Sequence, residues 1–299
     1  MTTFEARRAA HAAATDEFLS AAFDRLEGTP DRLSDAMQLA VMGGGKRFRP
    51  FLLIEIAAMF GVPPDQAVVA AGALECLHCY SLVHDDLPAM DNDRLRRGQP
   101  TVWAAFDEWT AILAGDALLT VSFQFLACDK VHADPAVRSE LVAALAKAAG
   151  PTGMVGGQTL DLMSDKLAQP AKPDLSYIRR LQAMKTGALI RFACEAGAIL
   201  GAAGQQDRNA LRSFGDHVGI VFQIADDLLD ATGSEEMVGK ATGKDAAAGK
   251  ATQVALLGIP AARDYLAKTV EAALEDLAPF GERAAVLAEA VHFAAQRSS

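Results

Sequence analysis

Residues 84–98 read HDDLPAMDNDRLRRG, four aspartates and three arginines directly after the nearly uncharged run AVVAAGALECLHCYSLV. Solvated helix faces scatter their charges at helical intervals and do not carry a proline in the middle. A second acidic cluster, FQIADDLLD at 222–230, closes another apolar stretch. Asp226 and Asp230 are four residues apart, so on a helix both carboxylates project from one face a single turn apart. Such a pair repels itself unless a cation lies between its members, and all-oxygen ligands favour Mg²⁺ over zinc. In the first cluster Asp85, Asp86 and Asp91 form DDxxxxD, where Pro88 must distort the end of the helix for Asp91 to return toward Asp85. Mg²⁺ in enzymes takes one or two carboxylates, keeps several waters and bridges to substrate phosphates. Arg96 and Arg97 would then grip phosphate oxygens through bidentate hydrogen bonds.

Other cations fit an anionic, phosphate-bearing substrate. GGGKRFRP (43–50) sets Lys46, Arg47 and Arg49 after three glycines, a flexible turn with exposed amides and fixed positive charge. The spacing GxxxxGK[ST] of a nucleotide-binding loop is absent there and around Lys240 and Lys250. KTG (185–187) places Lys185 and Thr186 inside a helical pattern, where an apolar helix needs neither charge nor hydroxyl. A formal net charge of −10 argues against nucleic acid, which needs a basic face to neutralise phosphates. No GxSxG or comparable nucleophile signature appears. Four cysteines in so long a chain are no disulfide framework, and the single C-x-x-C, Cys76 with Cys79, falls in an apolar helical pattern that suits buried free thiols.

Helices must position these groups. The 299 residues are 51% hydrophobic, rich in Ala and Leu and poor in Tyr and Trp, which favours helix over sheet. Helical periodicity is punctuated at GTPD (28–31), MGGGK (42–46), GVPPD (61–65) and HADP (132–135), which predicts ten or more helices on short loops. Two longer loops are expected: SDKLAQPAKPDLS (164–176), and ATGSEEMVGKATGKDAAAGKAT (231–252), which reads as a mobile lid after the second acidic cluster. No shift of composition divides the chain, so one domain over 1–299 is expected. No uncharged stretch reaches the ~18 residues of a membrane span. The N-terminus, MTTFEARRAAHAAATDEFL, carries acids early and lacks a secretory pattern, so the expected location is the cytoplasm.

Taken in order, GGGKRFRP, HDDLPAMD, RLRRG, KTGALI, FQIADDLLD and the GK pairs at 239–240 and 249–250 resemble the short-chain trans-polyprenyl diphosphate synthases. The bacterial farnesyl diphosphate synthase branch, whose first aspartate motif has the same two-residue insertion, is the most alike. The resemblance implies an all-α, single-domain isoprenoid-synthase-type bundle of mostly antiparallel helices around a deep apolar tunnel, usually a homodimer. It implies a Mg²⁺-dependent prenyltransferase that condenses isopentenyl diphosphate with dimethylallyl and then geranyl diphosphate by ionisation, condensation and elimination. By that likeness Asp85 and Asp91, with Asp226 opposite, would coordinate three Mg²⁺, while Asp86, Asp227 and Asp230 support them or bind through water. Arg96, Lys185, Thr186, Gln223 and Lys240 would contact the allylic substrate; Lys46, Arg49, His78 and Arg97 would form a separate metal-free pocket for isopentenyl diphosphate. Tyr80, five residues before Asp85, would wall off a three-isoprene tail, for which neighbouring Ser81 is too small. Asn92 and Arg94 stand where the family often has Asp, Ala225 where many relatives are polar, and QV after GKAT where an aromatic and Pro are usual.

Three other readings are open. One is a geranylgeranyl diphosphate synthase of the same family. A di-iron carboxylate bundle would use Glu-x-x-His pairs, present at Glu75 with His78 and Glu289 with His292, but it gives the Lys and Arg positions no purpose. A non-catalytic partner subunit of a prenyl synthase usually lacks one aspartate motif, and both are intact here.

Overall fold

The computed structural model describes residues 3–232 and 252–296, and among them the architecture is all-α apart from one two-residue hairpin. Helix starts follow from their capping residues. Helix α1 (Phe4–Phe23) opens behind Thr3, whose hydroxyl accepts from the Ala6 N–H at 3.4 Å. Helix α2 (Asp31–Met42) begins after Pro30 and ends at the triple glycine, and α3 (Phe48–Met59) follows it. Pro64, with φ already set for a helix, starts α4 (Pro64–Asp85). Short α5 (Val102–Ala105) precedes α6 (Glu108–Ala127), where the Asp107 carboxylate accepts from the Thr110 N–H at 2.8 Å. Helix α7 (Pro135–Ala149) starts at the proline of HADP. Then come α8 (Met154–Leu167), α9 (Leu175–Gln182) capped by Asp174, a π turn at Ala183–Gly187, and α10 (Ala188–Leu200). The chain continues through α11 (Gln205–Thr232), α12 (Gln253–Leu257), α13 (Ile259–Leu277) and α14 (Ala285–Ala295). Most of the expected lid, with Lys240 and Lys250, lies outside the described residues.

The helices group into two compact units. The first holds the described residues up to Ala144 together with Ile199–Ala202. Its centre is α4, packed against α1, α3 and α6 and burying Leu74, Cys76, Leu77 and Val83. Gly72 makes that packing feasible, since a Cβ there would lie 2.5 Å from the Phe18 ring. Helices α4 and α6 are long and apolar enough to cross a membrane, but 72% of the most apolar window of α4 and 50% of that of α6 are buried within the protein. The apolar run that precedes the first acidic cluster is therefore core. Cys76 and Cys79 are free and buried in it, where burial raises both thiols, Cys79 to about 12.

The second unit holds Leu145–Ala198 and the described residues from Ala203 onward. Helix α11 runs through it against the π turn, α13 and α14. Ile224, Leu228, Val254 and Ala262 close the core beside the second acidic cluster.

Candidate active site

In the first unit, α4 delivers the first aspartate motif at its C-terminal end, with Asp85 its last residue and Asp86 its C-cap. That end of a helix carries partial negative charge, so carboxylates there cost roughly 0.3–1 kcal/mol each, and no Lys or Arg in the last turn offsets them. A bound cation would. Past Pro88 the chain doubles back: the Asp91 N–H donates to the Asp85 carbonyl at 2.8 Å, and Asn92, at φ 55°, donates to the Leu87 carbonyl at 3.0 Å. Left-handed geometry suits asparagine better than most residues. Asp85 is half-buried and Asp91 exposed, whereas Asp86 is buried. The Asp93 carbonyl accepts from Thr101 Oγ1 and Trp103 Nε1, and Arg94 stacks 4.9 Å from the Trp103 ring, which fixes the loop's far side.

Strands β1 (Leu95–Arg96) and β2 (Gln99–Pro100) pair with Leu95 opposite Pro100 and Arg96 opposite Gln99. Arg97 and Gly98 between them both have positive φ, the pattern of a two-residue hairpin turn. The hairpin turns its two arginines to different partners. Arg96 clamps Asp86, with Nε at 2.9 and 3.1 Å from the two carboxylate oxygens and Nη2 at 2.6 Å from Oδ1. Burial pushes the Asp86 carboxyl up, and the Arg96 pair offsets that only in part. Arg97 instead donates to the Gly44 carbonyl, so the RLRRG and GGGKR segments meet. Gly45 must be glycine here: its φ is 144°, and a Cβ would lie 2.5 Å from the guanidinium.

Arg49 and His78 complete this cluster, with Arg49 Nη1 3.5 Å from His78 Nε2. Burial, followed by the charges of Arg49, Arg97, Arg96 and Arg47, holds His78 well below the usual imidazole range. The ring is neutral at physiological pH. Lys46 is exposed on the same loop. Arg47 corrects the expectation of a uniformly presented cationic loop. It sits at φ 45° and turns inward, donating to Glu75 Oε1 and the Val41 carbonyl at 2.6 Å and to Asp16 Oδ1 at 2.8 Å. Its charge serves the core.

One turn back along α4, Tyr80 is 7% exposed and lies edge-on to His84, with ring centroids 5.5 Å apart. Burial, helped by Asp85 and Asp116, raises its phenol. His84 is itself fixed by the Ile112 carbonyl at 3.0 Å, and Gly115 leaves room for its ring, since a Cβ there would lie 2.1 Å from Nε2. Ser81 bonds back to the His78 carbonyl at 2.7 Å.

In the second unit, α11 carries Asp226 exposed, Asp230 half-buried and Asp227 buried. Again the carboxylates lie near a helix C-terminus without basic residues in the last turn. Gln223, one turn earlier, donates to Asp227 at 2.9 Å. The π turn carries Lys185, whose Nζ is 2.6 Å from Asp161 on α8, and half-buried Thr186. Glycines seat that turn: a Cβ at Gly157 would lie 2.2 Å from the Lys185 nitrogen, and one at Gly219 3.0 Å from the Gly187 Cα.

A family model described as "Polyprenyl synthetase" matches residues 30–290. The chain belongs to the polyprenyl synthetase family. It is 44% identical to a farnesyl diphosphate synthase of Geobacillus stearothermophilus over 265 residues, covering 88% of each chain. It is 42% identical to the farnesyl diphosphate synthase of Escherichia coli K12, over 83% of each. A solved FPP/GFPP synthase from Zymomonas mobilis superposes with a TM-score of 0.86 at 41% identity, covering 97% of this chain and 98% of that one. The all-α isoprenoid-synthase fold of the family is the fold of this member.

Divalent metal is the family's cofactor, and the donor set of this synthetase suits magnesium. Each motif offers accessible carboxylate oxygen at a negative helix end, Asp85 with Asp91 in one and Asp226 with Asp230 in the other. Among the described residues no three His, Cys, Asp or Glu side chains converge. Magnesium, satisfied by one or two carboxylates with water and phosphate oxygens, does not need such a cage. The di-iron alternative fails on Glu75, which is committed to Arg47 in the core. Sequence reasoning missed Asp161, whose signal was a carboxylate within the otherwise uncharged stretch MVGGQTLDLM of α8. It also missed Gln182, a neutral amide without signal, and the role of Gln253, which stood out only as part of the departure after GKAT.

Proposed function

We propose that the protein is a Mg²⁺-dependent trans-prenyltransferase that makes farnesyl diphosphate from isopentenyl diphosphate and dimethylallyl, then geranyl, diphosphate. One catalytic domain over 1–299 would act as a cytoplasmic homodimer, with a deep apolar tunnel for the growing chain. The observation that carries this reading is the pairing, on α4 and the loops around it, of an acidic helix end with a cationic cradle. Arg97 lies on the Gly44 carbonyl and Arg49 on a neutral His78, while Asp85 ends the same helix about two turns beyond His78 and Asp91 bonds back to its carbonyl. Carboxylates that need a cation beside guanidiniums that need an anion suit two diphosphates, one held through metal and one directly.

In this reading Asp85, Asp91 and Asp226 hold about three magnesium ions, Asp86, Asp227 and Asp230 back them, and Lys185, Thr186, Gln223, Arg96 and Lys240 hold the allylic diphosphate. Bound magnesium supplies charge neutralisation for the departing pyrophosphate. Lys185 adds positive charge where the allylic C–O bond breaks and its electron pair leaves with pyrophosphate. Lys46, Arg49, Arg97 and neutral His78 orient isopentenyl diphosphate so that its alkene attacks the allylic carbon. One C–C bond forms, and a proton then passes to pyrophosphate, which regenerates an allylic diphosphate. The apolar wall that includes Tyr80 excludes water from the cation. That buried phenol favours a C15 product over the geranylgeranyl alternative, and both intact motifs favour an enzyme over a silent partner subunit. Trp109, Ile112 and Leu113, all exposed on α6, support a dimer contact there.

The test is incubation of the purified protein with dimethylallyl diphosphate and labelled isopentenyl diphosphate. Label should enter a C15 allylic product with Mg²⁺ and not with EDTA. Metal-independent turnover, or none at all, would remove this reading.

A further inference from the structure

Of the three carboxylates in the second motif, Asp227 alone is buried, at 5% exposure. Its Oδ1 accepts from Gln223 Nε2 at 2.9 Å, and its Oδ2 from Gln182 Nε2 at 3.1 Å and from the Gln253 backbone N–H at 3.3 Å. Gln253 Nε2 donates to Gln182 Oε1 at 2.6 Å, and its Oε1 accepts from Arg179 Nε at 3.4 Å. The Arg179 guanidinium lies 4.6 Å from the Tyr265 ring. The amide orientations agree with one another: Gln182 presents its NH₂ to Asp227 and its oxygen to Gln253, and Gln253 donates to Gln182 and leaves its own oxygen for Arg179, which only donates.

Gln182 occupies the junction of this chain of bonds. It is the last residue of α9, directly before the π turn and three residues before Lys185. A π turn holds one residue more than the α-helix it interrupts, and reverting to α would rotate the following side chains by about 100° about the helix axis. The bond from Gln182 to Asp227 ties the start of that turn to the residue beside Asp226, and Gln253 holds Gln182 in place. We propose that Gln182 and Gln253 are positioning residues that keep the second aspartate motif and the Lys185 turn in one register. The inference rests on the placement of the allylic diphosphate at Asp226 and Lys185 made above.

Gln182→Met, Gln253→Met, the double variant and Asp226→Ala should be compared for their kinetics toward geranyl and isopentenyl diphosphates. Backbone hydrogen exchange at 183–187 should be followed in the metal-free proteins. Methionine keeps the volume and removes the donor and acceptor. Gln182→Met should lower kcat/KM for geranyl diphosphate about tenfold while KM for isopentenyl diphosphate stays within about twofold. Exchange at 183–187 should accelerate. Gln253→Met retains its backbone bond to Asp227 and should lose about threefold, and the double variant should be no worse than Gln182→Met, as for members of one network. Should Gln182→Met not fold, the same pattern in Gln253→Met carries the test. Equal changes for both substrates, or unchanged exchange with unchanged kinetics, overturn the inference. If Asp226→Ala is inactive while the glutamine variants are normal, the inference alone fails; if Asp226→Ala turns over normally, the site reading fails and takes the inference with it.

Discussion

Tyr80 sits five residues before Asp85 on one helix, so its backbone lies about 7.5 Å along the axis from the end that carries the first aspartate motif. Its hydroxyl has no hydrogen-bond partner among the described residues, and its ring is set by His84 rather than by a polar anchor. Tyr80→Ala should remove a wall at little polar cost and shift products from C15 toward C20 and longer, read by chromatography of the dephosphorylated alcohols. An unchanged chain length in a folded, active variant places the barrier elsewhere. Glu55 contributes acid sensitivity to the first unit. Burial alone would raise its carboxyl, but hydrogen bonds from His11 at 2.7 Å and from Arg7 at 2.6 and 2.8 Å outweigh that and leave it lowered. A lowered acid contributes stability that is present above its unfolded value, about 4.3, and is lost as pH falls through the folded value. Glu55→Gln should therefore cost about 2 kcal/mol near neutral pH, and in urea titrations the gap to the wild type should close in the acid range. The two aspartate motifs were legible in the sequence because two acidic clusters each close an apolar helix, where either alone would read as a surface pair. Arg47 was not, because its fate depends on Glu75 and Asp16, far away in sequence.

At the scale of elements, both acidic clusters terminate long helices whose apolar faces are buried, α4 in one unit and α11 in the other. Carboxylates at each end cost local stability that a bound cation would restore. The helix boundaries were readable at GTPD, GVPPD and HADP because a proline stands just before or at the first helical residue of each. Neither the β1–β2 hairpin nor the π turn was. Two-residue strands leave no alternation to detect, and a single extra residue in a helix barely alters its apolar period. The glycines at the π turn do show how it is held. Gly157→Ala would drive a methyl into the Lys185 backbone, where a neighbour cannot yield as a flexible side chain would. This variant should melt lower than wild type and lose at least tenfold in kcat/KM for the allylic substrate, whereas an alanine at exposed Gly204, where a Cβ meets nothing within 4 Å, should be neutral. Matching melting curves for the two variants would show that the turn accommodates the methyl.

For the whole molecule, an all-helical chain followed from its Ala and Leu content, and the family followed from the order of six short motifs. The departure at QV, after GKAT, acquires a role only in the folded unit, where Gln253 reaches Gln182 and Asp227. No pattern in the sequence links residues 71 and 26 positions apart. The central claim is that the two aspartate motifs serve one metal-dependent ionisation, and it is tested most directly by turnover of Asp85→Ala and Asp226→Ala. Each removes a carboxylate near the negative end of a helix, where its charge is unfavourable to the helix, so helical circular dichroism should match the wild type. The account predicts that each variant loses at least about a thousandfold in condensation rate. Near-normal turnover in both would contradict it.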